Sequence, residues 1–189
     1  MKIYLLPKWS LLICLTQLVL PGMGIAGDQQ ALKTVSRVDL NRYVGTWYEI
    51  ARLPNWFQNQ CAGDVTAEYK RLDDGNIQVI NRCRDEKGQM DEANGVARVV
   101  DASTNAKLEV SFVSVFGWRL FWGDYWILDL GEDYEYVVVG MPSRKYAWIL
   151  SRSTQLTQEV WDRTRQVLLR AGYDPEKLVK TRQNDLTRH

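Results

Sequence analysis

Short stretches of alternating apolar and polar residues fill the sequence between positions 46 and 151. In one of them Leu108, Val110 and Phe112 alternate with polar neighbours, which is typical of a strand that buries one face. Turn-forming clusters such as Asp73–Gly75 separate the stretches. The pattern predicts eight strands, at Thr46–Leu53, Val65–Leu72, Asn76–Cys83, Asn94–Val100, Lys107–Phe112, Asp124–Leu130, Tyr134–Gly140 and Tyr146–Ser151. Strands this short and closely spaced favour an antiparallel up-and-down meander, either closed as a barrel or split as a sandwich.

The apolar period changes after Arg152. Over Gln158–Ala171 the apolar residues recur at helical spacing, with mostly arginine and glutamine side chains on the opposite face. Thr157 fits the N-cap position and Gly172 fits the left-handed C′ position. We therefore expect one amphipathic α-helix on the outside of the sheet, with Val179–Gln183 as a final edge strand.

Residues 1–26 have the pattern of an export signal. Two lysines accompany Trp9–Leu20, an apolar run too short to span a bilayer as a helix, and small residues follow it. We expect cleavage after Ala26, which leaves 27–189 as a single domain; a buried or anchoring N-terminal helix is the alternative. Cys14 is a poor attachment site for a lipid because it lies inside the apolar run, after a bulky isoleucine.

Composition narrows the classes of function. The chain carries 24 Lys and Arg against 23 Asp and Glu, and this near balance argues against nucleic acid as a partner. The single histidine is His189, so histidine-based acid–base catalysis is disfavoured. The sequence has no nucleophile motif, phosphate loop or metal-ligand cluster, and we expect neither an enzyme nor a cofactor or metal site. Eight tryptophans and nine tyrosines suit an apolar binding cavity as well as a core.

Cys61 and Cys83 are the cysteines that follow the predicted signal. In an oxidising compartment such a pair favours a disulfide, with two free thiols as the alternative. A two-residue turn at Asp74–Gly75 would place Cys83 opposite Thr66, too far from Cys61 to bridge. The prediction therefore requires residues 61–65 to fold back, which the glycine in that segment permits.

Glu49 falls on the apolar face of the first predicted strand, together with Trp47, Ala51 and Leu53. A carboxylate on that face needs a partner, because an unpaired buried charge is costly. The alternative is a twist of the strand that brings Glu49 to solvent.

Two segments carry a resemblance to a known family. Gly45–Arg52 (GTWYEIAR) follows a short helical turn capped by Asp39, and Trp148–Arg152 (WILSR) ends the eighth predicted strand. The pair resembles the first and third motifs of the lipocalins, most closely the bacterial outer-membrane lipoproteins and apolipoprotein D. The second motif of the family, T-D-Y, is Glu132–Tyr134 here, so only its last two residues match. The resemblance covers residues 38–182.

This resemblance implies an all-β fold, an eight-stranded antiparallel up-and-down barrel with one C-terminal α-helix packed outside. Gly45, Trp47 and Arg152 would close one end, with the Arg152 guanidinium over the Trp47 ring. Near the other end, Pro54–Phe57 and Ser114–Gly123 are too apolar for solvated loops, and such segments usually mark a ligand rim, a partner surface or a membrane contact. The residues predicted to bind ligand are Trp56, Phe57, Tyr69, Val79, Asn81, Val110, Phe112, Trp118, Tyr125 and Trp148.

The family also implies a function, the binding and transport or storage of a fatty acid or lysophospholipid in the bacterial cell envelope, in support of membrane maintenance. The protein would be exported to the periplasm, with or without association with the outer membrane. The alternative is a protein-interaction or self-association module that uses the aromatic rim, and contact with a membrane surface and homodimerisation are the corresponding partner hypotheses. An enzyme on the same fold would need a reactive thiolate at Cys61 or Cys83.

Overall fold

The computed structural model describes residues 31–116 and 118–184. The predicted export signal, its cleavage site and Cys14 lie outside these residues. The helices are α1 (Leu40–Tyr43) and α2 (Gln158–Arg170). The strands are β1 (Gly45–Arg52), β2 (Gly63–Arg71), β3 (Ile77–Arg84), β4 (Met90–Val99), β5 (Lys107–Ser111), β6 (Val113–Val115), β7 (Trp118–Leu120), β8 (Gly123–Leu130), β9 (Tyr136–Gly140), β10 (Ala147–Ser151) and β11 (Val179–Lys180).

Eight of these strands close into one barrel. The strands β1 to β5 and β8 to β10 each pair antiparallel with the next, and β10 pairs back with β1. The closing register places Tyr48 opposite Ser151 and Arg52 opposite Trp148. The sheet is therefore a barrel and not a sandwich, as the family resemblance implies. Strand β11 is shorter than the predicted Val179–Gln183 and lies beside β1.

The turn between β2 and β3 is one residue longer than the sequence analysis predicts. The loop consists of residues 73–75, with Gly75 at φ 86°. Glycine is favoured there because it has no Cβ to clash in the left-handed region. The longer loop places Arg82, and not Cys83, opposite Thr66.

Between β5 and β8 the chain forms a hairpin where the sequence analysis expects only an apolar loop. Strands β6 and β7 pair Val113 with Leu120 and Val115 with Trp118. Ser111 Oγ donates to Leu120 O at 2.5 Å and ties the hairpin to the end of β5. The hairpin projects from the end of the barrel at which β5 ends and β8 begins.

Helix α2 packs against the outside of the barrel, which confirms the predicted position. Its Thr164 and Leu168 side chains are fully buried. Thr157 caps the helix by accepting a backbone N–H three residues further on. The Arg163 guanidinium contacts the Asp129 carboxylate of β8 at 3.1 Å. Among the described residues, no helix combines the length and apolar content that a membrane span requires.

Strand β9 lies between the barrel interior and the helix. All five of its residues are buried, because both of its faces are covered. Val137 and Val139 join the interior cluster that contains Trp47, whereas Val138 joins the cluster that contains Leu168 of α2. Strand β9 therefore separates the two apolar clusters. The cluster inside the barrel forms the end of the candidate site that lies next to Trp47.

Candidate functional site

A cavity of about 470 Å³ occupies the barrel interior. Its lining runs from Tyr43 and Leu108, next to the buried core, to Trp56 and Phe57 on the loop after β1. The volume is within the range of small-molecule sites. The predicted ligand residues that line it are Trp56, Phe57, Tyr69, Val79, Asn81, Val110, Phe112, Tyr125 and Trp148.

Trp118 is the predicted ligand residue that the cavity leaves out. It lies on β7 opposite Val115, close to the tip of the hairpin, and is 77% exposed. The apolar segment Ser114–Gly123 predicts a single loop at the open end, and a loop of that kind would bring Trp118 to the ligand. Pairing of β6 with β7 instead leaves Trp118 exposed and outside the cavity lining, so we place it on the exposed hairpin and not in the cavity wall.

The closed end of the barrel is built on Trp47, which is fully buried. The Arg152 guanidinium lies over the Trp47 ring, 3.9 Å from its centroid. Gly45 has φ 98°, and a Cβ there would lie only 3.3 Å from Arg152 Nη1. The Arg152 amino groups also donate at 2.8–3.0 Å to four backbone carbonyl oxygens, those of Arg42, Tyr43, Val44 and Thr46. A cation stacked on a ring and satisfied by four carbonyls holds this end shut.

Above Trp47, three tyrosine hydroxyls meet in the cavity; we call Tyr43, Tyr69 and Tyr125 the tyrosine cluster. Tyr125 Oη lies 2.7 Å from Tyr43 Oη and 3.0 Å from Tyr69 Oη. Burial raises the pKa of all three, that of Tyr69 to about 12. The three side chains are therefore neutral at physiological pH and act as hydroxyl donors and acceptors.

Glu49 is buried in the barrel wall, with 2% of its surface exposed. The Arg52 guanidinium donates to its Oε1 at 2.8 Å, and the Thr181 hydroxyl donates to the same oxygen. Gln58 Nε2 donates to Oε2 at 2.8 Å. Of the two alternatives for Glu49, the structure shows the paired and buried one, which satisfies the charge.

Gln58 connects that buried carboxylate to the cavity. Its Oε1 accepts from Trp148 Nε1 at 3.1 Å, while its amide nitrogen holds Glu49. Phe57 beside it contacts both Tyr146 and Trp148, with ring centroids 5.2 and 6.3 Å apart. The loop after β1 is thus fixed to the cavity wall through polar and aromatic contacts.

The predicted disulfide is present, with Cys61 and Cys83 Cα atoms 5.4 Å apart. The fold-back that it requires occurs at Asp64, which adopts φ 52°, and a register shift lies between Gly63 and Thr66. Gly63 is the residue expected to permit this fold-back, whereas the left-handed residue is Asp64. Aspartate tolerates that conformation better than most residues.

The aromatic rim consists of Trp56, Phe57, Phe116, Trp118 and Phe121, at the end of the barrel that carries the disulfide. Phe116 is 98% exposed and Phe121 82%. Exposed apolar side chains grouped in this way usually mark a binding surface. In the described part of the chain, no group of three or more His, Cys, Asp or Glu side chains is arranged to hold a metal ion.

Comparison with known proteins agrees with this geometry. A family model described as a lipocalin-like domain matches residues 38–183. The chain belongs to the lipocalin family. Lipocalins are ligand-binding carrier proteins and not enzymes, and the closed end and cavity of this lipocalin fit that role.

Among curated proteins, this lipocalin is similar to bacterial, plant and animal relatives. The outer membrane lipoprotein Blc of Vibrio cholerae is 38% identical over 162 residues, which cover 85% of this chain and 91% of the relative. Temperature-induced lipocalin-1 of Arabidopsis thaliana is 36% identical over 161 residues, covering 84% and 86%. Apolipoprotein D of Macaca fascicularis is 31% identical over 154 residues, covering 78% of each chain.

Solved structures show the same fold. Insecticyanin from the tobacco hornworm Manduca sexta superposes with a TM-score of 0.65 and 27% identity, covering 82% of this lipocalin and 85% of that chain. Apocrustacyanin C2 superposes with a TM-score of 0.63 and 19% identity, covering 78% and 81%. The second likeness supports the fold alone.

Tyr43 is one of several cavity residues of this lipocalin that sequence reasoning missed. It lies on α1, before the first strand, so strand alternation assigns it no face. One feature of the sequence could have identified Tyr43, since it precedes Trp47 by four residues. Trp47 Nε1 donates to Tyr43 O at 2.8 Å. The helical turn brings the Tyr43 ring to 5.1 Å from the Trp47 ring and into the cavity.

Proposed function

We propose that this lipocalin binds one small apolar ligand, a fatty acid or a lysophospholipid, and transports or stores it. The observation that carries the proposal is the cavity of about 470 Å³ that Trp47 closes at one end and the aromatic rim borders at the other. Val79 and Val110 contribute aliphatic wall between the two ends. Each buried CH₂ contributes about 0.8 kcal/mol, so a long acyl chain supplies enough free energy to offset the cost of ordering it.

The proposed place of this function is the bacterial cell envelope, with the protein exported to the periplasm and supporting membrane maintenance. Three observations support it: the export pattern of residues 1–26, the disulfide between Cys61 and Cys83, and relatives named as outer membrane lipoproteins. Disulfides persist in oxidising compartments such as the periplasm. Native mass spectrometry of the protein purified from its own envelope tests the proposal, and one co-purified lipid per chain is the expected result.

Binding in the cavity is tested by substitutions along its wall. Trp148→Ala removes an aromatic side chain that faces the ligand, and Phe112→Asp introduces a carboxylate beside it. We expect each change to lower the affinity for a fatty acid and for a lysophospholipid by about tenfold or more. Tryptophan-quenching titration measures both affinities. Arg119→Ala is the comparison at the rim. It should weaken binding only modestly, because the Arg119 side chain is only partly buried and charge contacts near solvent contribute little.

Trp118→Ala is the matched control for Trp148→Ala, because both remove an indole at the same end of the barrel. It should leave the affinity for a monomeric ligand unchanged, since Trp118 lies outside the cavity. Equal losses from Arg119→Ala and Trp148→Ala would show that recognition of the headgroup dominates and would contradict this description of the site.

We also propose that the aromatic rim contacts a membrane surface when ligand is exchanged. Phe116, Trp118 and Phe121 are exposed at the end at which the cavity opens, and aromatic side chains are favoured at membrane interfaces. Continuity between rim and cavity gives an acyl chain a path that avoids water. A second copy of this protein, bound through the rim in a homodimer, is the alternative occupant of this surface.

Flotation with phosphatidylethanolamine–phosphatidylglycerol vesicles tests this contact. The Phe116→Ser/Trp118→Ser variant should lose most of the vesicle-bound fraction. Leu169→Ser is the control, because Leu169 is also an exposed apolar residue, at 61%, but lies on α2. Vesicle binding that survives the double substitution would show that the rim is not the membrane contact. A dimer seen by light scattering that the same substitution dissociates would replace the membrane by a second copy.

A further inference from the structure

The tyrosine cluster has more hydroxyl protons than hydrogen bonds. Its three hydroxyls make two contacts with one another, Tyr43 with Tyr125 and Tyr69 with Tyr125. Each hydroxyl carries one proton, and the raised pKa values keep all three protonated at neutral pH. Two contacts use two protons. At least one hydroxyl proton therefore has no acceptor within residues 31–116 and 118–184.

This spare donor lies deep in the cavity. All three tyrosines line it, and strand register places Tyr69 opposite Gly45, at the closed end of β1. The Tyr43 ring packs on Trp47 at 5.1 Å and on Tyr69 at 5.6 Å. A buried donor without an acceptor costs free energy that a ligand oxygen would recover.

The positive charge of Arg152, at the closed end of the barrel beside the tyrosine cluster, favours an electron-rich ligand group. Arg152 lies on the Trp47 ring at the closed end, and its charge acts against the burial that raises the pKa of Tyr43 and Tyr69. Carbonyl oxygens occupy the Arg152 amino groups, so the guanidinium contributes a field and not a direct contact. A partial or full negative charge is stabilised at this depth.

We propose that the tyrosine cluster is a binding subsite for a compact oxygen headgroup, a carboxylate, hydroxyl or carbonyl, that enters the barrel first. The inference rests on the proposed function and adds an orientation to it: the polar end lies at the cluster and the alkyl end points to the aromatic rim. A lysophospholipid must keep its large charged head at the open end and leaves the spare donor without an acceptor. The subsite therefore selects fatty acids and fatty alcohols over lysophospholipids of equal chain length.

Removal of all three hydroxyls together tests the subsite. The triple variant Tyr43→Phe/Tyr69→Phe/Tyr125→Phe keeps every ring and leaves no hydroxyl without its partner. The probes are decan-1-ol, decanoate and n-undecane; the alcohol and the alkane have equal numbers of heavy atoms. Calorimetric titration should show about tenfold weaker binding of decan-1-ol and decanoate to the triple variant, with n-undecane within twofold of wild type. Tyr48→Phe, which alters a tyrosine of β1 outside the cavity lining, should change none of the three.

Equal losses for all three probes, or an unchanged affinity for decan-1-ol and decanoate, would overturn the subsite. A loss for decanoate alone would restrict it to carboxylates, and a loss for both oxygen ligands supports the shared chemistry. Failure of wild-type protein to bind any probe would instead contradict the proposed function, so the two failures are distinguishable.

Orientation is measured on the wild-type protein, which removes any dependence on the folding of the variant. With [2-¹³C]decanoate bound, nuclear Overhauser contacts should join the labelled methylene to the ring protons of Tyr43 and Tyr69. The terminal methyl group should contact Trp148. Contacts from the labelled methylene to Trp148 or Phe57 would place the headgroup at the rim and refute the orientation.

Discussion

The two ends of the barrel use the same kind of residue in opposite ways. At the closed end, Trp47 is fully buried, its N–H is bonded and its ring is covered by Arg152. At the open end, Trp118 and Phe116 are exposed, and the cavity begins beside them at Phe121. Aromatic content alone therefore says little about function, and the surroundings of each ring decide whether it supports the fold or binds.

The difference indicates that the closed end contributes mainly to stability, whereas the open end borders the entrance to the cavity. At the closed end, the Trp47 N–H and the Arg152 amino groups have hydrogen-bond partners, and substitutions of groups held in this way are costly. The open end is held by the disulfide and by the loop that Gln58 attaches to Trp148. Substitutions there should lower ligand affinity more readily than they lower the stability of the fold.

The sharpest contrast is between two tryptophans. Trp47→Ala should lower the free energy of unfolding by about 3–5 kcal/mol, because it removes a fully buried ring and the surface on which Arg152 lies. Trp118→Ala should change it by no more than about 0.5 kcal/mol, since the side chain is exposed. Equilibrium urea unfolding measures both. Similar losses for the two variants would remove the distinction between the ends.

The disulfide gives the next largest effect. Cys61 and Cys83 are 22 residues apart, and the entropy of a loop of that length predicts a loss of about 3 kcal/mol for the Cys61→Ser/Cys83→Ser variant. Because the bridge lies at the open end, ligand affinity should fall even under conditions where circular dichroism still shows the folded barrel. Unfolding and titration of the same sample check both effects, and an unchanged affinity in the folded variant would contradict this position of the bridge.

Alkaline pH should lower the free energy of unfolding through the tyrosine cluster. Burial raises the pKa of Tyr69 from its ordinary value near 10 to about 12, and raises those of Tyr43 and Tyr125 as well. The unfolded chain loses these protons at lower pH than the folded chain, so the stabilisation is complete below pH 10 and is lost as the pH rises from 10 to 12. Urea unfolding over that interval should show a steeper decline for wild type than for the triple phenylalanine variant; parallel curves would contradict the burial of these hydroxyls.

The sequence predicts local features of this fold well. Alternation identifies the eight barrel strands because each buries one or both faces, and Thr157 is identified as a cap because its hydroxyl is bonded within one helical turn. The lipocalin motifs bring Trp47 and Arg152 together, although they are far apart in the chain. These features depend on short patterns or on a family pattern.

Other features depend on contacts that no local pattern records. The Thr181 hydroxyl that contacts Glu49 is 132 residues away in the sequence. The alternation of β1 therefore indicates that Glu49 needs a partner but does not identify that partner. The positive φ of Asp64 follows from the position of Cys83 on the neighbouring strand. Tyr43 joins the tyrosine cluster through the direction in which α1 leads into β1. Each of these is decided by tertiary packing, which a single sequence does not display.

Tryptophan indole resonances test most directly whether the ligand occupies the cavity. In a ¹H–¹⁵N spectrum, Trp148 is the reporter because its Nε1–H is bonded to Gln58 in the cavity wall. Trp161 is the internal reference, because it lies on α2 outside the barrel with Lys180 over its ring. On titration with decanoate, the Trp148 resonance should shift and saturate at one ligand per chain while that of Trp161 stays in place. A shift confined to Trp118 or Trp161, with Trp148 unmoved, would place the ligand on the outer surface and contradict the account.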